Sequence, residues 1–216
     1  IKFFPKKYKN KIYLINPILR RKFYYINENR KKDFGDPKKI LIVGGSQGAK
    51  FFDEILTNVI IKISKQLNIE IFQQVQDKDK KFLIEEKYKK HSVKYSLFDF
   101  DENLFEKLNN CDLVITRSGA STISEISQLC IPFIAIPFPF AKDNHQLYNA
   151  KFYESLNCCW IINQDKIEEE TLSNRIIQLF KERHDYFIKK QNLEKISNQK
   201  TWNIVNKKLF DLINEN

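Results

Sequence analysis

Residues 40–48 of the chain read Ile40-Leu41-Ile42-Val43-Gly44-Gly45-Ser46-Gln47-Gly48. The four apolar residues predict a short strand that is covered on both faces, and the glycines predict a tight turn directly after it. Beyond the turn, an apolar side chain recurs at every fourth position, which predicts an amphipathic helix. These positions are Phe51, Ile55, Val59 and Ile63. A strand, a glycine turn and a helix in this order predict the start of a βαβ unit in a parallel sheet.

The same alternation continues through most of the chain. The sequence predicts further strands over residues 69–75, 93–98, 112–116, 133–136 and 159–162. It predicts helices over residues 78–89, 103–110, 121–129 and 145–155, and a wholly helical pattern after Lys166. Strands that alternate with helices of this length are joined by right-handed crossovers. We therefore expect an α/β fold, a Rossmann-like open parallel sheet with helices on both faces.

The composition is that of a folded chain. Of 216 residues, 42% are hydrophobic and 13% aromatic, which excludes a disordered or fibrous protein. The longest run without charged or uncharged-polar side chains, residues 130–141, has twelve residues and three prolines, so no membrane-spanning helix is expected. The four cysteines form no C-x-x-C pair, which favours reduced, buried thiols of a cytoplasmic protein over disulfides or a zinc site. They are Cys111, Cys130, Cys158 and Cys159.

Two residue counts are unusual. The sequence contains no methionine and begins with Ile1, so we expect the natural N-terminus to lie upstream of this chain. Glycine occurs only five times in 216 residues, and four of the five lie in two short loops, at Gly44, Gly45 and Gly48 and at Gly119. Where glycine is this rare, we expect each of these glycines to answer a need of the backbone.

The positive charge is concentrated at the start of the chain. The net charge is +10, and residues 1–39 hold 13 Lys and Arg against 3 Asp and Glu, whereas the rest of the chain holds 24 of each. Such a segment can indicate an anionic membrane or a nucleic acid, and a genome biased toward Lys, Asn and Ile explains it equally well. No recognisable nucleic-acid motif accompanies the charge, so we expect no nucleic-acid partner.

Two polar clusters follow predicted strands and open predicted helices. The first is the turn at residues 44–48, and the second is Arg117-Ser118-Gly119-Ala120-Ser121-Thr122-Ile123-Ser124-Glu125. Ligands of open α/β sheets bind beyond the carboxyl ends of the strands, where a glycine turn lets backbone N–H groups approach a phosphate. The spacing matches neither G-x-G-x-x-G nor a P-loop. Glu125 could accept hydrogen bonds from ribose hydroxyls, and Thr122 with Glu125 also fits a capping box.

A third cluster lies at residues 137–149, after the strand predicted at residues 133–136. Its prolines stiffen the strand exit and its polar residues open the next helix, for which Asp143 and Gln146 fit a second capping box. His145 lies between them. The three histidines are far apart in the sequence, so a metal site is not expected.

Four motifs in this order resemble the C-terminal half of the MurG family. They are Gly44-Gly45-Ser46-Gln47-Gly48-Ala49, Arg117-Ser118-Gly119-Ala120, Thr122-x-Ser124-Glu125 and Asp143-Asn144-His145-Gln146-x-x-Asn149-Ala150. Asn16-Pro17-Ile18-Leu19-Arg20 is also similar to the family's N-P-[VI]-R element, with one extra residue before the arginine. This family consists of bacterial glycosyltransferases that add N-acetylglucosamine to lipid I, the undecaprenyl-pyrophosphoryl-MurNAc-pentapeptide. The resemblance implies the donor-binding half of a two-domain GT-B enzyme.

The resemblance also implies a role for particular residues. The backbone of Ser46, Gln47 and Gly48 and the turn at Gly119, Ala120, Ser121 and Thr122 would hold the diphosphate of UDP-GlcNAc. Glu125 would bind the ribose hydroxyls, and Phe100 and Asp101 would meet the uracil. His145 and Gln146 would face the sugar or phosphate, and Arg20 would reach the nucleotide. The catalytic base belongs to the N-terminal half, so no catalytic residue, metal or cofactor is expected in this chain.

Three segments follow from the resemblance. We expect residues 1–37 to be the tail of a preceding acceptor domain plus a linker, and residues 38–197 to be the nucleotide-sugar-binding domain. Residues 198–216 are expected to form a C-terminal helix that crosses toward the missing domain. The whole enzyme would bind lipid I through that domain, and it would lie on the cytoplasmic side of the bacterial inner membrane, peripherally bound to its anionic surface.

Other functions fit the same sequence features. The chain could be the donor-binding subunit of a split UDP-sugar transferase, or a UDP-sugar epimerase or hydrolase on the same fold, because a fold does not fix a function. A nucleic-acid binder, suggested by the pI of about 9.3, would show salt-sensitive binding and indifference to UDP. Product analysis and UDP-GlcNAc titration distinguish these alternatives from the transferase.

Overall fold

The computed structural model of the chain describes residues 5–13, 15–24, 35–45, 50–99, 104–199 and 201–214. Its centre is a six-stranded, wholly parallel sheet with the strand order β3-β2-β1-β4-β5-β6. The strands are β1 (Lys38–Val43), β2 (Ile69–Gln74), β3 (Lys94–Phe98), β4 (Leu113–Thr116), β5 (Phe133–Ala135) and β6 (Cys159–Ile161). The expected Rossmann-like α/β fold is confirmed.

Helices connect and cover the strands. A π-helical turn (Phe52–Leu56) leads into α1 (Thr57–Ser64), followed by α2 (Lys78–Lys90), α3 (Leu104–Asn110), α4 (Ala120–Gln128) and α5 (His145–Ser155). After β6 come α6 (Glu169–Glu182), α7 (His184–Asn198) and α8 (Trp202–Asn214). Short 3₁₀ turns lie at Lys6–Lys11, Arg21–Phe23, Lys142–Asn144 and Gln164–Lys166. The helix predicted over residues 145–155 has the observed bounds, and the other predicted bounds differ by one or two residues where the structure describes them.

The two faces of the sheet belong to two separate hydrophobic clusters. On β1, Ile40 and Ile42 point into the cluster with α1, α2 and α6, whereas Leu41 and Val43 point into the cluster with α4 and α5. Side chains of a strand alternate between faces, so a continuous apolar run is what a strand needs when helices cover both sides. The apolar run at residues 40–43 therefore follows from the central position of β1.

The helical face predicted after the first glycine turn is only partly correct. Val59 and Ile63 are buried, but Phe51 and Ile55 are half-buried, and their neighbours Phe52 and Leu56 take their places in the core. The π-helical turn explains the shift, because it adds a residue to one helical turn and so rotates the buried face by one position.

The strand order places the ligand crevice. It reverses between β1 and β4, with β2 and β3 on one side and β5 and β6 on the other. In parallel sheets, this switch point opens a crevice at the carboxyl ends of the strands. Val43 pairs with Thr116, so the chain leaves β1 and β4 side by side. The two glycine turns therefore start at neighbouring positions of the same edge.

No helix in the described ranges is long and apolar enough to cross a membrane. All four cysteines carry reduced thiols, but Cys130 is only half-buried, which corrects the expectation that every thiol is buried. Cys130 follows the last turn of α4 and has a positive φ of 54°. The chain reverses direction there toward β5, and the Cys130 side chain stays partly in contact with solvent.

The last helix packs along a narrow seam. Val205 is buried and Leu209 and Leu212 are half-buried, whereas Trp202 is 37% exposed and touches the ring of Tyr24 at 5.5 Å between centroids. Three large apolar residues of α8 are exposed to solvent around this packed side. They are Ile204, Phe210 and Ile213. The division of the chain into three segments stays a prediction.

Candidate functional site

The turn after β1 needs glycine for its backbone conformation. Gly45 has a φ of +83°, a region that L side chains rarely adopt, and a Cβ at this position would meet no atom within 4 Å. Conformation rather than crowding therefore selects glycine here. The residues expected to bind the diphosphate through this loop, Ser46, Gln47 and Gly48, lie outside the described residues.

The turn after β4 presents a helix end that no side chain caps. Gly119 is the N-cap of α4, with φ −62° and ψ 136°, and the helix begins at Ala120. The first i→i−4 bond of the helix runs from the Ile123 N–H to the Gly119 carbonyl at 3.1 Å. The N–H groups of Ala120, Ser121 and Thr122 precede that bond and point out of the helix end, as an anion site requires.

The capping box predicted for this helix is wrong. Thr122 lies inside the first turn of α4, because the helix begins two residues before it, so its hydroxyl cannot act as the N-cap. The expectation that the backbone needs glycine at position 119 is also wrong. Its backbone angles suit any residue, and a Cβ there would meet only Thr122 Oγ1, at an ordinary contact distance of 3.9 Å. The absent side chain leaves the helix end open to a group from outside.

The residue before this glycine carries a polar atom that has no partner among the described residues. Ser118 is fully buried, and its Oγ forms no hydrogen bond in the described part of the chain. Its carbonyl oxygen accepts a hydrogen bond from Asn149 Nδ2 at 3.0 Å, which ties the turn to α5. Buried polar atoms nearly always have partners, so an unpartnered hydroxyl beside an uncapped helix N-terminus points to a bound polar group.

Arg20 and Glu125, both expected at the nucleotide, meet in the structure. The Arg20 Nε and Nη2 groups both donate to Glu125 Oε1, at 3.2 and 3.0 Å. The Glu125 side chain is 13% exposed and that of Arg20 is 51% exposed. Burial raises the pKa of Glu125, and the charge of Arg20 opposes the rise. The structure thus brings a carboxylate and a guanidinium together one helical turn below the open end of α4.

The loop between β5 and α5 brings the third cluster to the same edge. Gln146 Oε1 accepts a hydrogen bond from the Phe138 N–H at 3.0 Å, and His145 Nδ1 lies 2.8 Å from the Lys142 carbonyl oxygen. The second predicted capping box, of Asp143 and Gln146, is wrong. Asn144 is the N-cap without a side-chain bond, and the Gln146 side chain reaches back to the loop instead.

Asp143 and Asn144 both adopt left-handed backbone angles, with φ values of 53° and 52°. Such angles are costly for residues other than glycine, although Asn and Asp tolerate them best, and they cluster at functional sites. His145 is exposed directly after them, at the first position of α5. Phe100 and Asp101, expected at the uracil, lie outside the described residues. Among the residues that the structure describes, no group of three His, Cys, Asp or Glu could hold a metal ion.

Two buried polar residues near this edge were not among the predicted site residues. Arg117 is 8% exposed at the end of β4, and burial lowers its pKa to about 10. Asp53 is also 8% exposed, on the π-helical turn, and burial raises its pKa to about 6, against the opposing charge of Lys80. The sequence signal in both cases is a charged residue beside an apolar run, which does not reveal whether the side chain turns inward.

Comparison with known proteins identifies the family. Residues 39–203 match the family model described as the glycosyltransferase family 28 C-terminal domain. The chain belongs to this family. The family 28 C-terminal domain thus covers β1 to β6 and most of the helices that follow. The resemblance to MurG proposed from the motifs is confirmed by the relatives and structures described next.

Two curated relatives carry the name UDP-N-acetylglucosamine–N-acetylmuramyl-(pentapeptide) pyrophosphoryl-undecaprenol N-acetylglucosamine transferase. The Pelagibacter ubique protein is 40% identical, over 100% of this chain and 60% of its own length. The Rickettsia bellii protein is 37% identical, over 81% of this chain and 50% of its own length. The chain therefore spans half to three-fifths of the length of these relatives.

Solved structures show the same fold. The crystal structure of Acinetobacter baumannii MurG superposes with a TM-score of 0.68 at 26% identity, over 84% of this chain and 51% of that chain. WaaG, a glycosyltransferase involved in lipopolysaccharide biosynthesis, superposes with a TM-score of 0.61 at 16% identity, over 95% of this chain and 57% of that chain. The second likeness concerns the fold alone.

Proposed function

We propose that this chain is the donor-binding half of an inverting glycosyltransferase. The whole protein would move GlcNAc from UDP-GlcNAc to the MurNAc C4 hydroxyl of lipid I and so make lipid II for peptidoglycan. The observation that carries the proposal is the uncapped N-terminus of α4, with the unpartnered Ser118 hydroxyl behind it and Glu125 one turn below. The names of the curated relatives supply the sugar and the acceptor.

The spacing of these groups suits a nucleoside diphosphate. The open N–H groups of Ala120, Ser121 and Thr122 would receive the pyrophosphate, and the Glu125 carboxylate would accept hydrogen bonds from the ribose hydroxyls. Register supports a shared site, because Val43 pairs with Thr116 and the turn at Gly45 starts beside the turn at Gly119. The backbone of Ser46, Gln47 and Gly48 would then complete the diphosphate site, Phe100 and Asp101 the uracil site, and Arg20, His145 and Gln146 the nucleotide and sugar contacts.

The reaction follows from this electrostatics. The acceptor hydroxyl would attack the anomeric carbon while the bond to UDP breaks, with inversion at that carbon. Negative charge develops on the departing diphosphate, and a helix N-terminus already aimed at it stabilises that charge without reorganisation. The base that removes the hydroxyl proton would come from the N-terminal half of the protein, outside this chain.

Donor binding is the direct test of the proposal. Calorimetric titration of the 216-residue chain should show binding of UDP-GlcNAc, with weaker binding of UDP-glucose and UDP-GalNAc as controls. The chain alone should transfer no sugar to lipid I, whereas a full-length protein should form lipid II. Release of free sugar or of an epimer by the full-length protein would instead support the hydrolase or epimerase. A chain indifferent to UDP-GlcNAc would contradict the proposal.

The basic start of the chain supports a peripheral membrane location. We propose that the whole enzyme lies on the cytoplasmic face of the inner membrane and that this basic segment binds the anionic surface of the membrane. Lys6, Lys7 and Lys11 are exposed there beside the half-exposed rings of Tyr8 and Tyr13. Each Lys near an anionic surface contributes about 1 kcal/mol. Co-sedimentation with vesicles should be stronger with anionic than with neutral lipid, and equal partitioning would remove the idea.

The exposed apolar residues of α8 fit the proposed domain boundaries. Ile204, Phe210 and Ile213 are 45%, 66% and 75% exposed on this helix. A preceding acceptor domain that ends near residue 37 would cover them. Hydrogen exchange of α8 should therefore be slower in a full-length protein than in the 216-residue chain, and equal rates would argue against the crossing.

A further inference from the structure

We infer that Arg117 is a positioning residue for the diphosphate of the donor. It holds together the turns that form the site, and no carboxylate among the described residues pairs with its positive charge at the edge where the diphosphate is proposed to bind. This inference rests on the proposed function, because it concerns how the same site selects a phosphorylated ligand. Nothing in the motifs assigns the residue such a role.

The guanidinium lies between two aromatic rings. Its carbon lies 4.7 Å from the ring centroid of Phe52 and 5.4 Å from that of Phe138. Phe52 belongs to the π-helical turn that follows the first glycine loop, and Phe138 belongs to the loop that opens α5. Arginine stacks on aromatic rings in this way because its planar group is weakly hydrated. Arg117 belongs to the turn after β4, so its ring contacts connect that turn to the helix after the first glycine loop and to the loop before α5.

Hydrogen bonds also hold the Arg117 guanidinium in a fixed orientation. Arg117 Nη1 donates to the carbonyl oxygens of Ile136 and Pro137, at 3.1 and 3.3 Å, where the chain leaves β5. Arg117 Nη2 donates to Gln164 Oε1 at 2.6 Å, in the turn that follows β6. The Arg117 side chain, which leaves the end of β4, thus contacts the segments that follow β1, β5 and β6.

The oxygen partners that the described residues give this cation are all neutral. In the described part of the chain, no carboxylate forms an ion pair with Arg117, and burial is the cause that lowers its pKa. A buried charge without a counter-ion is costly, and proteins usually pair it. Two negative charges of a diphosphate at the end of α4, which begins three residues after Arg117, would supply the missing compensation.

A second buried cation shows what a purely structural arrangement looks like. Lys189 is 4% exposed and lies 4.8 Å from the ring centroid of Trp160, as Arg117 lies over its rings. It differs because its Nζ lies 3.1 Å from Asp185 Oδ1 and donates to Asn157 Oδ1 at 2.8 Å. Asn157 precedes β6, so Lys189 lies at the opposite edge of the sheet from Arg117. The charge of Lys189 is thus compensated by Asp185, at an end of the sheet where we propose no ligand.

The test compares UDP with uridine, which lacks the phosphates. The Arg117→Met and Arg117→Gln variants should bind UDP about tenfold more weakly while uridine affinity changes less than about threefold, as measured by calorimetry and NMR titration. Arg117→Lys keeps the charge and should keep the preference for UDP. Added salt should weaken UDP binding less in the Met and Gln variants than in the natural chain. Lys189→Met is the matched control and should leave the ratio of the two affinities unchanged.

Two results would overturn the inference. Equal losses of UDP and uridine affinity in every Arg117 variant would mean that the residue only maintains the fold of the edge. Unchanged UDP affinity in Arg117→Gln would mean that its charge is not used. If Arg117→Met does not fold, Arg117→Gln and Arg117→Lys still decide between charge and shape. Failure of the natural chain to bind UDP at all would instead contradict the proposed function.

Discussion

The two glycine turns at the edge of the sheet look alike in sequence and differ in structure. At Gly45 the backbone has a φ of +83°, and the helix that follows carries the buried acid Asp53. At Gly119 the backbone is ordinary, and the helix that follows carries Glu125, paired with Arg20. The first unit thus needs glycine for its backbone and carries a buried acid, whereas the second presents its glycine and its acid to the proposed ligand. A scarce glycine can answer a need of the backbone in one turn and leave a helix end accessible in the next.

The buried acid of the first unit should give the largest effect on stability. Asp53→Asn should stabilise the chain at pH 7.5 by no more than about 3 kcal/mol, because the pKa of Asp53 is about 6 in the fold and 3.8 ordinarily. A raised acid pKa lowers stability as pH rises from about 4 to about 6, so the gain should vanish below pH 4. Thermal unfolding across pH 4 to 8 measures it.

Glu54→Gln supplies the control for this pH dependence. The hydrogen bond from Lys80 lowers the pKa of Glu54, so this neighbour supports the fold more as pH rises, opposite in sign to Asp53. Its replacement should not reproduce the gain. A pH-independent effect of Asp53→Asn would show that the pKa of Asp53 is the same in the folded and unfolded chain, and so is not raised by burial.

The backbone conformation of the first turn should give the next largest effect. Gly45→Ala should destabilise the chain by about 1–2 kcal/mol, because an L side chain disfavours the left-handed region. Urea unfolding provides the measurement. If Gly45→Ala were as stable as the natural chain, the turn could relax to a negative φ and the contrast between the two turns would fail.

The second turn should respond in binding rather than in stability. Gly119→Ala should keep the stability of the natural chain, since its angles suit alanine and its Cβ would make only an ordinary contact. The new methyl group would cover the end of α4 and should weaken UDP binding about tenfold, or about 1.4 kcal/mol. Calorimetry and urea unfolding of the same samples check both halves. Unchanged UDP affinity would show that no ligand approaches this helix end.

Replacement of Glu125, the acid of the second unit, should give the smallest effect on UDP binding. The effect should be specific for the ribose hydroxyls. Glu125→Gln should weaken UDP binding about fivefold, or about 1 kcal/mol, because the amide oxygen can still accept a hydrogen bond and only the contribution of the charge is lost. It should also reduce the preference of the natural chain for UDP over 2′-deoxy-UDP, because the carboxylate is proposed to bind the ribose hydroxyls. Competition binding measures the preference. A variant that kept it in full would place the ribose elsewhere.

Much of the fold and part of the site could be predicted from the sequence. The alternation of apolar strands and helices predicted the parallel sheet, and the bounds of α5 were correct to the residue. Arg20, Gly119 and Glu125 were named from motifs, and the structure brings Arg20 to Glu125 over 105 positions of chain. Both capping boxes were wrong, because a box is read from four residues, whereas a helix begins where packing of the whole unit allows.

The sequence by itself determined the strand–turn–helix repeat, because apolar periodicity and glycine position act over a few neighbouring residues. Tertiary structure alone decided which side chains turn inward. The π-helical turn moved Phe52 and Leu56 into the core, and the sheet order brought the acceptors of Arg117 together from β5 and the turn after β6. The burial of Arg117 and the neutral groups around it depend on residues that are distant along the chain. No local pattern could therefore show that Arg117 has no acid beside it among the described residues, whereas the acid beside Lys189, Asp185, lies only four positions away on the same helix.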